Sequence, residues 1–378
     1  MRIAINTRFL LSRKMEGFGW YTYEIVKRLV NNHPEHEFIF FFDRAYDEKF
    51  IFADNVTPVV LSPQARHPVL FRIWFNRSVT KALKKHKADL FFSPDGFLSL
   101  KTDVPQVCTI HDINFEHHPE DLPKGARNYL RTYFPQFAQK AAHIMTVSDY
   151  SKQDIVTTYA ISPDKITTAW NGASDAFQPL NEFEKKATEE QFANGRPYIL
   201  FVGALHPRKN LRRLLPAFEK LHERGISTYD LVIAGEALWK NIPPDIQPSE
   251  SIRKHVHFTG HLSLEDLTKV MGSASLLAFV PYFEGFGIPL VEAMRCGTPI
   301  VCGDRTSLPE VVGDAAILCD PFSVDDISAK LEQVLSHPEL QASLKKKGLE
   351  RSTLFSWNKA AETIWKVFES TIQKKANP

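Results

Sequence analysis

LLAFVPYFEGFGIPLVEAMRCGTPIVC, residues 276–302, contains a strand, a glycine-punctuated turn, a helix and a second strand. Leu276–Val280 and Pro299–Cys302 are short apolar runs of strand length. Between them, Pro289–Cys296 carries apolar residues at helical spacing, and proline suits the first turn of a helix. Strand, helix and strand packed so closely form an α/β unit, whose sheet is largely parallel.

The same rhythm extends in both directions. Strands are predicted at Arg2–Asn6, Glu37–Phe42, Thr57–Leu61, Asp89–Ser93, Gln106–Ile110 and Ile144–Val147. Amphipathic helices are predicted at Tyr21–Asn31, Leu70–His86, Ala126–Lys140 and Lys152–Thr158. Residues 181–195, NEFEKKATEEQFANG, interrupt the rhythm and read as a linker or exposed insertion. It then restarts, with strands at Tyr198–Val202, Tyr229–Ala234, Val256–Thr259 and Ala316–Leu318. Helices are predicted at Leu211–Glu223, Leu264–Met271, Val324–Leu335 and Lys359–Gln373. A chain of 378 residues exceeds what one core of about 250–300 residues accommodates, so two domains are expected.

Composition narrows the function. Lys plus Arg number 46 and Asp plus Glu 44, a balance that does not suit a dedicated nucleic-acid binder. No apolar run reaches the roughly 18 residues of a membrane span. The opening MRIAINTRFL turns polar too soon for a secretory leader, which points to the cytosol and leaves the sequons at Asn55 and Asn76 unused. Cys108, Cys296, Cys302 and Cys319 sit in or beside apolar stretches with no C-x-x-C pair, as free buried thiols do.

Charge is distributed unevenly. Arg66, Arg72, Arg77, Lys81, Lys84, Lys85 and Lys87 fall in one stretch without an acid, interleaved with Leu70, Phe71, Ile73, Trp74 and Phe75. Phe71, Phe75, Val79 and Ala82 share a helical face. Two readings stand: a core helix with a solvated basic face, or a basic amphipathic helix on an anionic membrane.

Four places carry chemistry. Gly17-Phe18-Gly19 precedes the first helix and lets backbone approach a ligand, although the G-x-G-x-x-G fingerprint is absent. FVGALHPRKN, residues 201–210, turns at Gly203 into a helix with Asn210 as a reasonable N-cap. Arg208 and Lys209 thus stand beside a helix start at the carboxyl end of a strand, where open α/β sheets bind ligands. Cations are disfavoured there, so a bound anion such as a diphosphate explains them. In 281–299, Glu284 follows a strand and Glu292 is expected on the first helical turn, a carboxylate pair suited to sugar hydroxyls. His111-Asp112 ends the strand VCTI, where a histidine reaches substrate or merely caps the strand. His117 and His118 suggest zinc with His111, but the spacing fits no known ligand pattern.

In order and spacing, these pieces resemble glycosyltransferase family 4. They are GFGWYTYEIV (17–26), TIHD (109–112), VSDYSKQDI (147–155), WNG (170–172), VGALHPRKN (202–210), EGFGIPLVEAMRCGTP (284–299) and SLPEVVGDAA (307–316). The separation of Glu284 from Glu292 is the family's most telling signature. The resemblance implies a retaining glycosyltransferase of the GT-B fold, with two Rossmann-like domains facing a cleft. Residues 1–180 would form the acceptor-side domain and 196–355 the nucleotide-sugar domain, with 356–378 a helix crossing back.

Arg208 and Lys209 match the family's diphosphate-holding residues, Glu284 the carboxylate on the transferred sugar, and Glu292 the one on the ribose hydroxyls. The amides of Phe286, Gly287 and Ile288 would hold sugar or phosphate oxygens, while Gly17, Gly19 and Gly203 shape the turns around the donor. His111 would approach the reacting centre, with Trp20 and Asp112 on the acceptor side; the role of Glu310 stays open. The family departs here at Trp20, often Arg or another polar residue, and at Arg295, often small.

GFGWYTYEI, HDINFEHHPE and VGALHPRKN resemble bacterial mannosyltransferases of surface polysaccharide synthesis. The resemblance implies GDP-mannose as donor, no divalent metal or other cofactor, and a saccharide or lipid-linked saccharide acceptor; peripheral contact to an anionic membrane is what the second reading of the basic segment adds. UDP-glucose, UDP-N-acetylglucosamine and dTDP-rhamnose remain alternative donors. A sugar-nucleotide epimerase and a noncatalytic sugar-nucleotide-binding protein remain alternative functions.

Overall fold

The computed structural model describes residues 1–12, 15, 17–236 and 246–376. The chain folds as two compact units, Met1–Asn171 joined by the segment from Ser356 onward, and Gly172–Phe355.

In the first unit the strands are β1 (Arg2–Asn6), β2 (Glu37–Phe42), β3 (Val56–Val60), β4 (Leu90–Ser93), β5 (Gln106–Thr109), β6 (His143–Thr146) and β7 (Ile166–Thr168). They form one sheet in the order β3-β2-β1-β4-β5-β6-β7, every pair parallel. Its helices are α1 (Gly17–Asn32), α2 (Pro68–Ile73), α3 (Thr80–Lys85), α4 (Asn114–His117), α5 (Lys124–Lys140) and α6 (Asp149–Tyr159). Strands buried on both faces read as near-continuous apolar runs, and FIFF within β2 is an example.

The second unit holds α7 (Glu182–Ala193), β8 (Tyr198–Val202), α8 (Leu211–Glu223), β9 (Asp230–Ala234), β10 (Val256–Gly260), α9 (Leu264–Ser273) and β11 (Leu276–Phe279). It continues with α10 (Ile288–Cys296), β12 (Ile300–Gly303), α11 (Leu308–Val312), β13 (Ile317–Cys319), α12 (Val324–Leu335) and α13 (Pro338–Ser352). Its parallel sheet runs β10-β9-β8-β11-β12-β13. The last helix, α14 (Trp357–Ala376), belongs to the first unit; 377 and 378, included in the expected helix, lie outside the described residues. Both sheets reverse their strand order beside their first strand, and such switch points position ligands at the carboxyl ends.

The structure differs from the sequence reading in several elements. Residues 181–195 are not a linker: Asn181 and Glu184 close a reciprocal capping box that starts α7. The Asn-x-x-Glu signal is present in the sequence, but the helix buries only Thr188 and Ala193, too few for a visible apolar face. The helix α13 is likewise mostly polar, burying Leu344 and Gly348. The strand β7 is a three-residue edge strand, short enough to escape a pattern search. The expected helix Leu70–His86 is broken by a π-helical stretch, Trp74–Val79, between α2 and α3.

That broken helix resolves the reading of the basic segment. Trp74, Phe75, Val79, Ala82 and Leu83 are buried in the unit's hydrophobic core, with Phe71 packed against them. The indole of Trp74 donates to the Leu61 carbonyl at 2.9 Å. The aromatic face is core and cannot enter a lipid interface, a correction to the amphipathic membrane reading. The seven cations remain exposed. Among the described residues, no helix is long and apolar enough to cross a membrane. All four cysteines are free and buried.

One buried charge organises the carboxyl end of β4. Arg8 donates to Asp95 at 2.7 Å, with side chains 4% and 2% exposed. Asn6 and Ser93 also donate to that carboxylate, at 2.9 Å each. The guanidinium lies over the rings of Phe9, Phe71, Phe75 and Phe97. Removing one partner of a buried pair strands the other charge. Asp95→Ala should therefore destabilise the protein by about 3–5 kcal/mol in urea unfolding, whereas an effect near that of an exposed ion pair would contradict this role.

Candidate active site

The second unit gathers its candidate residues where β8 and β11 lie side by side. Beyond β8 the backbone passes so close to Gly235 that a Cβ there would sit 1.9 Å from the Gly203 carbonyl oxygen. Only glycine fits. His206 accepts from the Arg208 amide at 3.3 Å, and Pro207–Lys209 form a single 3-10 turn. Asn210 does not cap α8 with its side chain, as the sequence suggested. It takes a left-handed conformation, φ 67°, and donates to the carbonyls of Val280 at 2.9 Å and Pro321 at 2.6 Å. A fully buried amide thus ties the turn after β8 to the segments after β11 and β13.

This arrangement brings three predicted residues together. Lys209 Nζ donates to Glu284 Oε1 in a close ion pair, and Arg208 Nη1 lies 3.9 Å from the same oxygen. Lys209 also stands 5.1 Å from the centre of the Phe279 ring. The backbone of Glu284 is held at both ends: its amide donates to Thr306 Oγ1 at 3.2 Å, and Ser307 Oγ donates to its carbonyl at 2.9 Å. Burial opposes ionisation of Glu284, but Lys209 and then Arg208 outweigh it and hold the carboxyl below its ordinary range. The anion that offsets these cations in the free protein is therefore internal.

The loop continues through buried Phe286 to Gly287, whose φ of 93° and close neighbours Leu290 and Leu308 exclude a side chain. The helix α10 starts at Ile288; Pro289 has no amide hydrogen and the Leu290 amide donates to the Gly287 carbonyl at 3.0 Å, which leaves the Ile288 amide without a partner within the helix. Glu292 therefore lies at the start of the second turn, one step beyond the expected first turn. It is half-buried, and burial raises its carboxyl to about 8. The two carboxylates thus differ at neutral pH: Glu284 is ionised and Glu292 protonated.

The first unit positions His111 just beyond β5. His111 Nε2 donates to the Pro94 carbonyl at 2.8 Å, which fixes the tautomer and leaves Nδ1 as the acceptor. Burial lowers its pKa, so the ring is neutral at physiological pH. Tyr21 and Phe18 pack edge-on against it, at 4.5 and 4.9 Å between ring centres. Gly17 and Gly19 form the first turn of α1 rather than a turn before it. Trp20 is 37% exposed and meets Tyr23 edge-on at 5.9 Å. Asp112 accepts from the Asn114 amide at 3.1 Å, just ahead of α4.

Several supports escaped the sequence reading. Pro94 orients His111, and Trp357 backs Tyr21 at 6.0 Å. Phe355 packs edge-on against Phe286 at 5.7 Å. Arg295, where the family often has a small residue, donates to the Ala173 carbonyl at 2.7 Å and pairs with Asp175. Only the aromatic run Phe18-Gly19-Trp20-Tyr21 offered a sequence signal for this packing. His117 pairs with Asp154 at 2.8 Å, and His118 lies 3.4 Å from Glu120. Among the described residues, no group of three or more His, Cys, Asp or Glu side chains could hold a metal.

The protonated form of Glu292 contributes stability below about 4.5, and this contribution is lost as pH rises through about 8. Glu292→Gln removes that loss. Its melting temperature should exceed that of the wild type at about pH 8.5 and nearly equal it at about pH 5, without ligand. The same offset at both pH values would contradict the assigned burial.

Comparison with known proteins agrees with this geometry. Residues 15–177 match the "Glycosyltransferase Family 4" model, and 182–351 match "Glycosyl transferases group 1". The O-antigen chain mannosyltransferase B of Escherichia coli is 30% identical, over 93% of this chain and 95% of that protein. Serotype-specific mannosyltransferase WbdA of Escherichia coli is 27% identical over 99% of this chain, which spans only 48% of WbdA. The Anabaena Alr3699/HepE structure in complex with UDP-glucose superposes with a TM-score of 0.76 at 17% identity, covering 98% of this chain and all of that one. The chain belongs to glycosyltransferase family 4 and is a glycosyltransferase of the GT-B fold.

Proposed function

We propose that the protein transfers mannose from GDP-mannose to a saccharide or lipid-linked saccharide acceptor in surface polysaccharide synthesis, with retention of anomeric configuration. The observation that carries this reading is the cluster of Lys209, Arg208 and buried Glu284 at the switch point of the second sheet. The mannose assignment is supported by the name of the relative that matches over nearly the whole chain.

The chemistry follows from the charges. An incoming diphosphate competes with Glu284 for Lys209 and Arg208. Glu284, released from the ion pair, turns to the hydroxyls of the transferred sugar. As the glycosidic bond breaks, negative charge grows on the leaving phosphate, and the two cations with the amides of Gly287 and Ile288 stabilise it more than the ground state. This is the work a divalent metal does elsewhere, so no metal is required. The acceptor hydroxyl attacks from the face the diphosphate leaves and passes its proton to the departing phosphate oxygen. His111, neutral with Nδ1 free to accept, receives a hydrogen bond from a sugar hydroxyl. Protonated Glu292 adds no charge near the diphosphate and can donate to and accept from the ribose hydroxyls.

Activity against a panel of nucleotide sugars, with and without chelator, tests this reading. GDP-mannose should give the highest kcat/KM, and chelation should leave it unchanged. Lys209→Ala strands buried Glu284 and should lower stability; measured where the variant is folded, it should also lose roughly 1.5–3 kcal/mol of donor binding, as expected for a charged hydrogen bond. Preference for a uridine or thymidine donor, loss of activity on chelation, or unaltered donor binding by Lys209→Ala would each overturn the corresponding element.

A lipid-linked acceptor places the reaction at the cytoplasmic face of a membrane. The exposed cations Arg72, Arg77, Lys81, Lys84 and Lys85 would engage anionic headgroups by charge alone, because the aromatic face is buried. Binding to anionic liposomes should then fall steeply with salt and vanish on neutral liposomes; salt-insensitive binding or none at low salt would contradict it.

A further inference from the structure

Away from His111, the first unit has a surface groove of about 740 Å³ lined by α4, α5 and the end of α6. That volume falls within the roughly 300–1,000 Å³ of small-ligand sites. We propose that this groove holds the body of the acceptor, an extended neutral oligosaccharide, while its terminal sugar reacts.

Charge selects the ligand class. Glu116 is the acid of the groove and Arg131 its base. They neutralise one another: Arg131 Nε donates to Glu116 Oε2 at 2.9 Å, and Tyr159 donates to Oε1 at 3.1 Å. A groove without net charge gives no grip to a phosphate or a cation. It does offer donors and acceptors together, in the amide of Asn128 and the hydroxyl of Thr132, with the Thr158 hydroxyl, whose proton goes to Asp154 at 3.1 Å, as a further acceptor. Pro135 brings no amide to the Arg131 carbonyl one turn earlier, which adds an acceptor. The end of α6, closed at Ala160 in a left-handed conformation, adds the carbonyls of a helix terminus. Sugar hydroxyls both donate and accept, so a neutral polyhydroxylated chain matches this lining.

Placement supports the same assignment. His111 and Asp112 lead directly into α4, where Asp112 accepts from the Asn114 amide and Glu116 forms the groove wall. Ser151, on the helix that ends in the groove, donates to the His111 carbonyl at 3.0 Å. The two elements that fix the His111 backbone thus run on to line the groove.

This inference rests on the acceptor being a saccharide. It is tested by transfer kinetics on manno-oligosaccharides of two and of six sugars, with the full-length protein. Wild type should show a KM about tenfold lower for the longer acceptor. Thr132→Trp, an exposed position on α5, should fill the groove and raise the KM for the six-sugar acceptor to that for the two-sugar one. It should leave donor affinity and turnover on the two-sugar acceptor unchanged. Asn128→Ala, which adds no bulk, should lose part of the preference. Equal KM for both lengths in wild type, or a preference kept by both variants, overturns the groove while leaving the proposed function standing. Absence of transfer by wild type from every nucleotide sugar overturns both.

Discussion

A buried carboxylate needs a partner, and at Glu284 that requirement shapes the second unit. Its side chain is 9% exposed and would be costly to ionise alone. Lys209, with Arg208 at longer range, supplies the compensation. To bring a turn after β8 against a loop after β11, the chain uses a parallel sheet that sets these strands side by side, a glycine pair that lets the backbone pass, and Asn210 as a buried tie. The result is a charge cluster satisfied without ligand. In the proposed reaction a diphosphate would replace the carboxylate on the same cations, and the displaced carboxylate would face the sugar.

Environment, not residue type, separates the two glutamates. Glu284 stays ionised because cations surround it, whereas Glu292, with burial as the dominant influence, holds its proton to about 8. The first unit treats His111 similarly: the Pro94 carbonyl fixes its tautomer, and the ring stays neutral through burial against Tyr21 and Phe18. Behind Pro94, the Arg8–Asp95 pair anchors the end of β4. Glu284 and His111 thus each rest on a buried polar contact in their own unit.

Much of this was legible in the sequence because parallel strands buried on both faces announce themselves as apolar runs, and site residues follow those runs directly. Glu284 after β11, Lys209 after β8 and His111 after β5 are examples. What escaped lacked that signal. The helix α7 is started by a capping box but has almost no apolar face. Asn210 looked like a helix cap because local sequence shows the residue and not the distant carbonyls of Val280 and Pro321. Pro94, Phe355 and Trp357 act through residues far along the chain, which no local pattern reveals. The aromatic stripe of the basic segment has the spacing of a membrane helix and of a core helix alike, and only burial distinguishes them.

The exchange of anions at Lys209 is the central claim, and a crystal structure with GDP and a nontransferable mannose analogue tests it most directly. A phosphate oxygen is expected within hydrogen-bond distance of Lys209 Nζ, and the Glu284 carboxylate on the sugar hydroxyls, no longer paired with Lys209. A diphosphate bound elsewhere, with the Lys209–Glu284 pair intact, would contradict it.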